Sequence, residues 1–456
     1  MSTENDTEVI VIVNDGAAPN DTENASAPND TENASIPLET SIREKLQKLP
    51  PLSPSCFIYR VPERFWLRNN PKIYTPEVVS IGPLHHGRET LQDMEEHKYR
   101  YLQQFLDRTE ENFLECYIQK IRDQEADLRS YYAENIKFCS DDFVTIMLVD
   151  AAFIIELFLN YYFNIDDSTD RIMSAPFLIN DISSDLLLLE NQLPFFILED
   201  LFGLEEVNRN SNSGVNGEVS FIQLFCKFFE QELGAVGADC NLETVNFSEV
   251  EGAHFLDIIR NLCMPRQPLV RCTRNEGTPI APSITELHQA GVKFEVGSTR
   301  HLFGIRFNNG ILQIPKIEIS ACMADTLRNI AVFEQCHYLN SRITDYLDLM
   351  NCFVNTAKDV ELLAEYGIVT NYLADNSEAC SLINNLGKGF RWDPKDFCFT
   401  PLYEDLHRHC KKPWNKWKAN LRQNYLNTPW AVVSVVAAVF LIILTLTQTV
   451  CALISL

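Results

Sequence analysis

The chain has 456 residues, of which 46% are hydrophobic, so it is long enough to bury a large core. Its 63 acidic side chains outnumber 38 basic ones, and the formal net charge of -25 argues against binding to the nucleic-acid backbone. The 14 cysteines are scattered without a Cys-x-x-Cys pair, which is typical of free thiols and not of a disulfide framework or a zinc site.

The N-terminal segment is a tandem repeat. The nonapeptide APNDTENAS occurs at 18–26 and again at 27–35, and its residues are small, polar or acidic. Such a segment buries too little apolar surface to offset the entropy lost on ordering. We therefore expect residues 1–37 to form a disordered acidic tail.

Residues 38–428 have mostly helical patterns and are predicted to form one large domain. An approximate helical stripe of apolar residues covers 90–108, and an almost continuous apolar run covers 143–163. The run is long enough to span a bilayer, but Asp150 and Glu156 lie within it, so it is better interpreted as a buried helix.

A second apolar stretch, 184–202, is interrupted by a proline. Pro194 should kink or split the helix near Gln192, and Ser184 is the expected N-cap. Glu190, Asn191 and Gln192 need internal partners if this stretch is enclosed.

One region has strand patterns. Between 292 and 319, two β-rich runs flank Asn309-Gly310, the dipeptide that best suits a tight hairpin turn. Gly304 is interpreted as a bulge, and Pro315 as an edge or strand end. The predicted fold is therefore mainly α (α+β), with a small antiparallel sheet around 292–319.

The C-terminal residues 429–456 are predicted to form a single transmembrane helix, since no charged side chain occurs after 430. The sequence has no signal peptide, and a basic flank precedes the apolar run. These two features predict a single-pass protein whose bulk is cytosolic, at the plasma membrane or the endoplasmic reticulum. The flank consists of Lys411, Lys412, Lys416, Lys418 and Arg422. The residues expected to contact the bilayer are Trp430, Val432, Val436, Phe440 and Leu444.

Signatures of the common enzyme classes are absent. The sequence has no phosphate-binding Gly-x-x-x-x-Gly-Lys loop, no Gly-x-Ser-x-Gly elbow, no His-Glu-x-x-His pair and no Gly-x-Gly-x-x-Gly after a strand. The densest polar cluster is His85, His86, Glu95 and His97. Consecutive helical residues point in different directions, so 95–97 cannot converge on one ion. We assign no catalytic residue, metal ligand or cofactor, and we expect the four residues to act structurally or as partner contacts.

Several long motifs occur in a fixed order along the chain. They are RVPERF (60–65), NPKIYTPEVVSIGPLHHG (70–87), MEEHKYRYL (94–102), DLLLLENQLPFFILE (185–199), PSITELHQAGVKFE (282–295), LRNIAVFEQC (327–336) and PWAVVSVVAAVFLIILTLTQTV (429–450). Together they resemble the plant family built on domain of unknown function 247. The resemblance extends from about residue 56 to the C-terminus and implies a plant protein.

The resemblance implies no catalytic residues, because the family has no established activity. Some grass members are proposed recognition determinants in self-incompatibility, which implies recognition of a partner. The sequence therefore predicts a membrane-tethered binding or signalling protein without catalytic activity, with the lipid bilayer and a protein as partners. An unrecognised enzyme and a scaffold with several partners are the alternatives.

Overall fold

The computed structural model describes residues 38–47, 56–66, 70–108, 113–165, 170–209, 219–238, 250–265, 281–391, 396–412 and 429–454. The chain divides into two compact units, Met1–Leu52 and Ser53–Leu456. In the first unit, helix α1 covers Leu38–Gln47. The predicted disordered tail, 1–37, lies outside the described residues.

The second unit is mainly helical, as predicted. Its helices are α2 Glu63–Trp66, α3 Gln92–Asp107, α4 Phe113–Asp123, α5 Glu125–Ser130, α6 Ser140–Tyr162, α7 Pro176–Leu186, α8 Phe195–Arg209, α9 Phe221–Phe228, α10 Glu230–Ala235, α11 Phe255–Cys263, α12 Ile284–Gln289, α13 Ala321–His337, α14 Arg342–Phe353, α15 Ala357–Glu365, α16 Asn376–Leu386, α17 Thr400–Cys410 and α18 Pro429–Ile454. Single 3-10 turns cover Pro71–Tyr74 and Glu89–Leu91.

Helix α6 occupies the centre of this unit. It is buried almost continuously from Phe143 to Asn160, which confirms the prediction of a core helix at 143–163. Helices α3, α4, α8 and α9 pack around it. Within this core, the ring of Phe158 on α6 lies 4.5 Å from that of Phe228 and 5.6 Å from that of Phe255, both in stacked orientation. The polar residues Asp150, Glu156 and Asn160 of α6 are therefore buried and need partners within the protein.

The apolar stretch 184–202 is split, as the proline predicted. Helix α7 ends at Leu186 and α8 begins at Phe195, so the eight residues 187–194 between them are not helical. Pro194 lacks an N–H group and disfavours helical geometry at the residue before it. The predicted cap was wrong: Ser184 lies inside α7, where its hydroxyl donates to the carbonyl of Asn180.

Among the described residues, the strands form two small sheets. They are β1 Lys293–Val296, β2 Arg306–Asn308, β3 Ile311–Ile314, β4 Ile317–Ile319 and β5 Val369–Asn371. The hairpin β2–β3 is confirmed, and Asn309 and Gly310 turn it with φ of 52° and 81°. However, β1 pairs parallel with β3, and β4 pairs parallel with β5.

The prediction of a purely antiparallel sheet was therefore wrong. The reason is that the connection after β1 carries the chain to the opposite edge of β3, while β4 finds its partner some fifty residues further along the chain. Gly304 lies outside the strands, in a turn in which its N–H donates to the carbonyl of His301, so the predicted bulge was also wrong. Pro315 follows the last residue of β3, which agrees with its predicted role as a strand end.

The C-terminal prediction requires a correction. Among the described residues, no helix combines the length and the apolar character needed to cross a bilayer. On this finding, the predicted transmembrane helix at 429–456 and the predicted single-pass membrane localisation with a cytosolic domain are wrong.

Candidate recognition site

The non-helical segment 187–194 joins neighbouring segments of the chain through buried polar side chains. Asn191 accepts the N–H of Ile81 at 2.7 Å and donates to the carbonyls of Val79 and Asp185, each at 3.0 Å. Gln192 donates to the carbonyl of Leu186 at 2.7 Å. The internal partners expected for these amides are confirmed. These bonds hold the chain at 79–81 against the end of α7.

Glu190 is the third of these residues and joins two further segments. One of its carboxylate oxygens accepts the N–H of Val61 at 2.8 Å. The other lies 3.2 Å from Nη1 of Arg60 and 3.0 Å from Nε2 of His85. Burial lowers the pKa of His85, although Glu190 acts in the opposite direction.

A second ionic group lies between α3 and α6. The Nζ of Lys98 is 2.6 Å from Asp150, 2.6 Å from Glu95 and 2.9 Å from the carbonyl of Ser80. Lys98 is wholly buried and Asp150 is 1% exposed. Burial alone lowers the pKa of Lys98, but the attraction of the two carboxylates outweighs it and raises that pKa. Burial raises the pKa of Asp150, and Lys98 only partly offsets this effect.

Gly82 completes the support of Asp150. Its N–H donates to the second oxygen of Asp150 at 2.8 Å, and its φ of 70° is a conformation that glycine adopts without strain. A Cβ at this position would lie 2.8 Å from the carbonyl oxygen of Gln192, which leaves no room for a side chain. The carboxylate of Asp150 is therefore held from two sides, by an ammonium group and by a backbone amide.

A cavity of about 250 Å³ opens beside this group. Its lining residues come from the loop after residue 82, from α3, from the segment before α6 and from α6 itself: His86, Glu95, Tyr99, Phe138, Asp142, Thr145, Ile146, Val149 and Asp150. The Nδ1 atom of His86 is buried and has no hydrogen-bond partner among the described residues. Tyr99 is exposed, and the imidazole of His86 meets the ring of Phe138 edge-on at 5.7 Å.

The four predicted contact residues are separated by the fold. His86 and Glu95 line the cavity. His85 is buried against Glu190, and half-buried His97 is not among the lining residues. The sequence analysis missed Tyr99, Phe138 and Asp142. Asp150 had carried a signal, because a carboxylate in an apolar helix requires a partner.

The residues predicted to lie at a membrane are placed as follows. Val436, Phe440 and Leu444 are exposed on α18. Lys411 and Lys412 are exposed at the end of α17. Lys416, Lys418 and Arg422 lie outside the described residues, as do the side chains of Trp430 and Val432.

A larger cavity, of about 380 Å³, lies between the 3-10 turn at 71–74, α7 and α13. Its buried polar groups already have backbone partners. Asp185 accepts the N–H groups of residues 77, 78 and 79 at 2.7–3.0 Å, and burial raises its pKa to about 6. Asn329 accepts the N–H of Leu189 and donates to the carbonyls of Ile73 and Asp325. This arrangement joins the elements, whereas the smaller cavity is lined by carboxylate side chains, an imidazole and aromatic rings.

Metal binding finds no support in the described geometry. Within the described ranges, no three His, Cys, Asp or Glu side chains are grouped so that they could hold a metal ion. The smaller cavity is instead lined by carboxylate side chains and an imidazole beside apolar and aromatic side chains. Such a surface is suited to binding hydrogen-bond donors.

The fold and the site define a mainly helical protein with small sheets and an acidic cavity supported by buried ion pairs. The model of a family described as DUF247, plant protein of unknown function, matches residues 58–444, so the chain belongs to this family. The resemblance found in the sequence motifs is thereby confirmed.

Two relatives come from Arabidopsis thaliana. The chain is similar to UPF0481 protein At3g47200, with 31% identity over 430 residues that cover 88% of this chain and 87% of the relative. It is also similar to putative UPF0481 protein At3g02645, with 23% identity over 473 residues that cover 85% and 88%. No solved structure matches.

Proposed function

We propose that this plant protein is a binding protein that recognises a protein partner at the cavity beside His86 and does not turn over a substrate there. The proposal rests on the contacts that hold two carboxylates of the cavity wall in place. Glu95 and Asp150 are both held within 2.6 Å of the buried Lys98. Acceptors that are fixed before binding lose little freedom when a partner arrives, which favours recognition.

The exposed rim supports the same function. Tyr99 is 53% exposed and belongs to the cavity lining. Tyrosine is enriched among the residues that dominate binding energy at protein interfaces, because it combines a large apolar surface with a polar group. Recognition in self-incompatibility, which is proposed for some grass members of the family, is the most specific form of this proposal.

An enzyme is the competing function, and one observation favours it. Asp150 has a raised pKa and lines a cavity, as an acid-base catalyst would. However, its oxygens already accept hydrogen bonds from Lys98 and Gly82. A catalytic carboxyl must be able to exchange a proton with substrate, whereas these contacts hold Asp150 as a structural support.

Site-specific crosslinking tests the proposal. The photoreactive residue p-benzoylphenylalanine replaces Tyr99 in the full chain, and the matched control carries it in place of Tyr372, an exposed tyrosine next to β5. Both proteins are irradiated in extract from the plant tissue that expresses the protein. We expect a discrete adduct only with the Tyr99 variant, and excess unlabelled protein should suppress it.

Three outcomes would contradict the proposal. The absence of an adduct at 99 would exclude this face as a contact. Adducts with different proteins at both positions would favour the scaffold alternative. Turnover in a metabolite screen that Asp150→Asn abolishes, while circular dichroism remains unchanged, would favour the enzyme.

A further inference from the structure

We propose that the cavity beside His86 binds a primary ammonium or guanidinium group on an alkyl stem, presented by a lysine or arginine side chain of the partner. This inference rests on the proposed function and specifies which chemical group enters the site.

The polar groups of the cavity are acceptors. Glu95, Asp142 and Asp150 contribute carboxylates, which accept hydrogen bonds when ionised. His86 also lines the cavity, and a neutral imidazole can accept a hydrogen bond through one of its ring nitrogens. A group that only donates hydrogen bonds matches this set, and ammonium and guanidinium are such groups.

The charge of the cavity also favours a cationic ligand. Three carboxylates stand against one ammonium group, that of Lys98, which leaves a formal charge of -2 at the site. A phosphate or carboxylate ligand would be repelled. The chain as a whole carries -25, so its field also attracts basic partners during encounter.

The walls fit the remainder of such a side chain. Ile146 and Val149 are buried apolar lining residues that can contact a methylene stem. Tyr99 and Phe138 provide aromatic rings, which attract a cation placed over their faces. The volume of about 250 Å³ is below the range of about 300–1,000 Å³ for pockets that hold drug-sized ligands. The cavity is therefore of a size for one side chain.

Small-molecule probes test this inference with the purified full chain. Nα-acetyl-lysine methylamide and Nα-acetyl-arginine methylamide represent the two side chains with their charged groups free, and putrescine represents a free amine. N-acetyl-norleucine methylamide is the uncharged control. We expect saturation-transfer NMR titrations to give Kd values at least tenfold lower for the lysine and arginine probes than for norleucine, and weaker binding at 0.5 M salt.

Two adjacent residues of α3 provide a matched pair of variants. Glu95→Gln should raise the Kd of the lysine probe at least fivefold. Glu96→Gln should leave its Kd unchanged, because Glu96 is exposed and pairs with Arg100. If Glu95→Gln does not fold, Asp142→Asn at the exposed rim takes its place and should also weaken binding at least threefold.

Equal binding of the lysine and norleucine probes, or no binding of any probe, would overturn the inference. Tighter binding of putrescine than of the lysine and arginine probes would assign the cavity to a free amine. It would contradict the inference that the cationic group belongs to a side chain of a protein partner. Crosslinking at Tyr99 together with unresponsive amine probes would refute this inference alone. Probe binding without any crosslinked protein would refute the proposed function alone.

Discussion

Replacement of Lys98 by Met is the sharpest test of the buried ionic group. The change removes an ammonium group that contacts Asp150, Glu95 and the carbonyl of Ser80 at 2.6–2.9 Å, while it keeps the apolar stem. Asp150, which is 1% exposed, would then keep a buried charge without its counter-ion. Removal of one partner of a buried pair costs about 3–5 kcal/mol of unfolding free energy. We expect a loss of about 3–5 kcal/mol for Lys98→Met.

The assay is urea unfolding of the full chain followed by far-ultraviolet circular dichroism. Arg100→Met on the same helix is the matched control, because its pair with Glu96 is exposed and should contribute at most about 1 kcal/mol. Asp150→Asn added to Lys98→Met should restore at least about 1 kcal/mol, since the amide oxygen can still accept the N–H of Gly82. The reasoning is refuted if Lys98→Met loses no more than the control, or if the second change costs further stability.

Two further predictions concern His254 and Gly237. Burial lowers the pKa of His254 to about 4 from an ordinary 6.5, so its contribution to stability is present above 6.5 and is lost as pH falls towards 4. This contribution to the unfolding free energy falls by about 2 kcal/mol between pH 7 and pH 5. The unfolding free energy of His254→Asn, measured at both pH values, should lack this pH-dependent component. A pH slope equal to that of the unsubstituted protein would disprove the prediction. Gly237 has φ of 64°, and a Cβ there would lie 2.5 Å from the carbonyl oxygen of Arg300. Gly237→Ala should therefore destabilise the protein by more than about 1 kcal/mol and lower its thermal midpoint. Gly234→Ala, with no atom within 4 Å of the new Cβ, should be neutral or stabilising, and equal midpoints of the two variants would contradict this.

Local patterns predicted individual elements well. The apolar run at 143–163 predicted the central helix α6, and Asn309-Gly310 predicted the hairpin β2–β3. Both are short-range consequences of side-chain polarity and backbone preference, since a continuous apolar run must be buried and Asn-Gly tolerates positive φ. The proline at 194 likewise predicted the break between α7 and α8.

Predictions that depended on distant neighbours or on the chain terminus were less successful. The parallel pairs β1–β3 and β4–β5 were missed, because strand order depends on where the connections lead. The terminal apolar run was interpreted as a membrane span, which the described residues contradict. The four polar residues at 85–97 were treated as one cluster, although packing directs His85 to Glu190 and His86 to the cavity.

The sequence by itself determined the mainly helical class, the acidic charge, the family and the need of the enclosed carboxylates for partners. Only the tertiary structure decided which partners they meet. Lys98 and Asp150 are 52 positions apart in the chain, and Arg60 and Glu190 are 130 apart. The physical reason is that helical periodicity specifies which face of an element is buried, whereas the packing of one element on another determines which polar groups are brought within hydrogen-bond distance on that face.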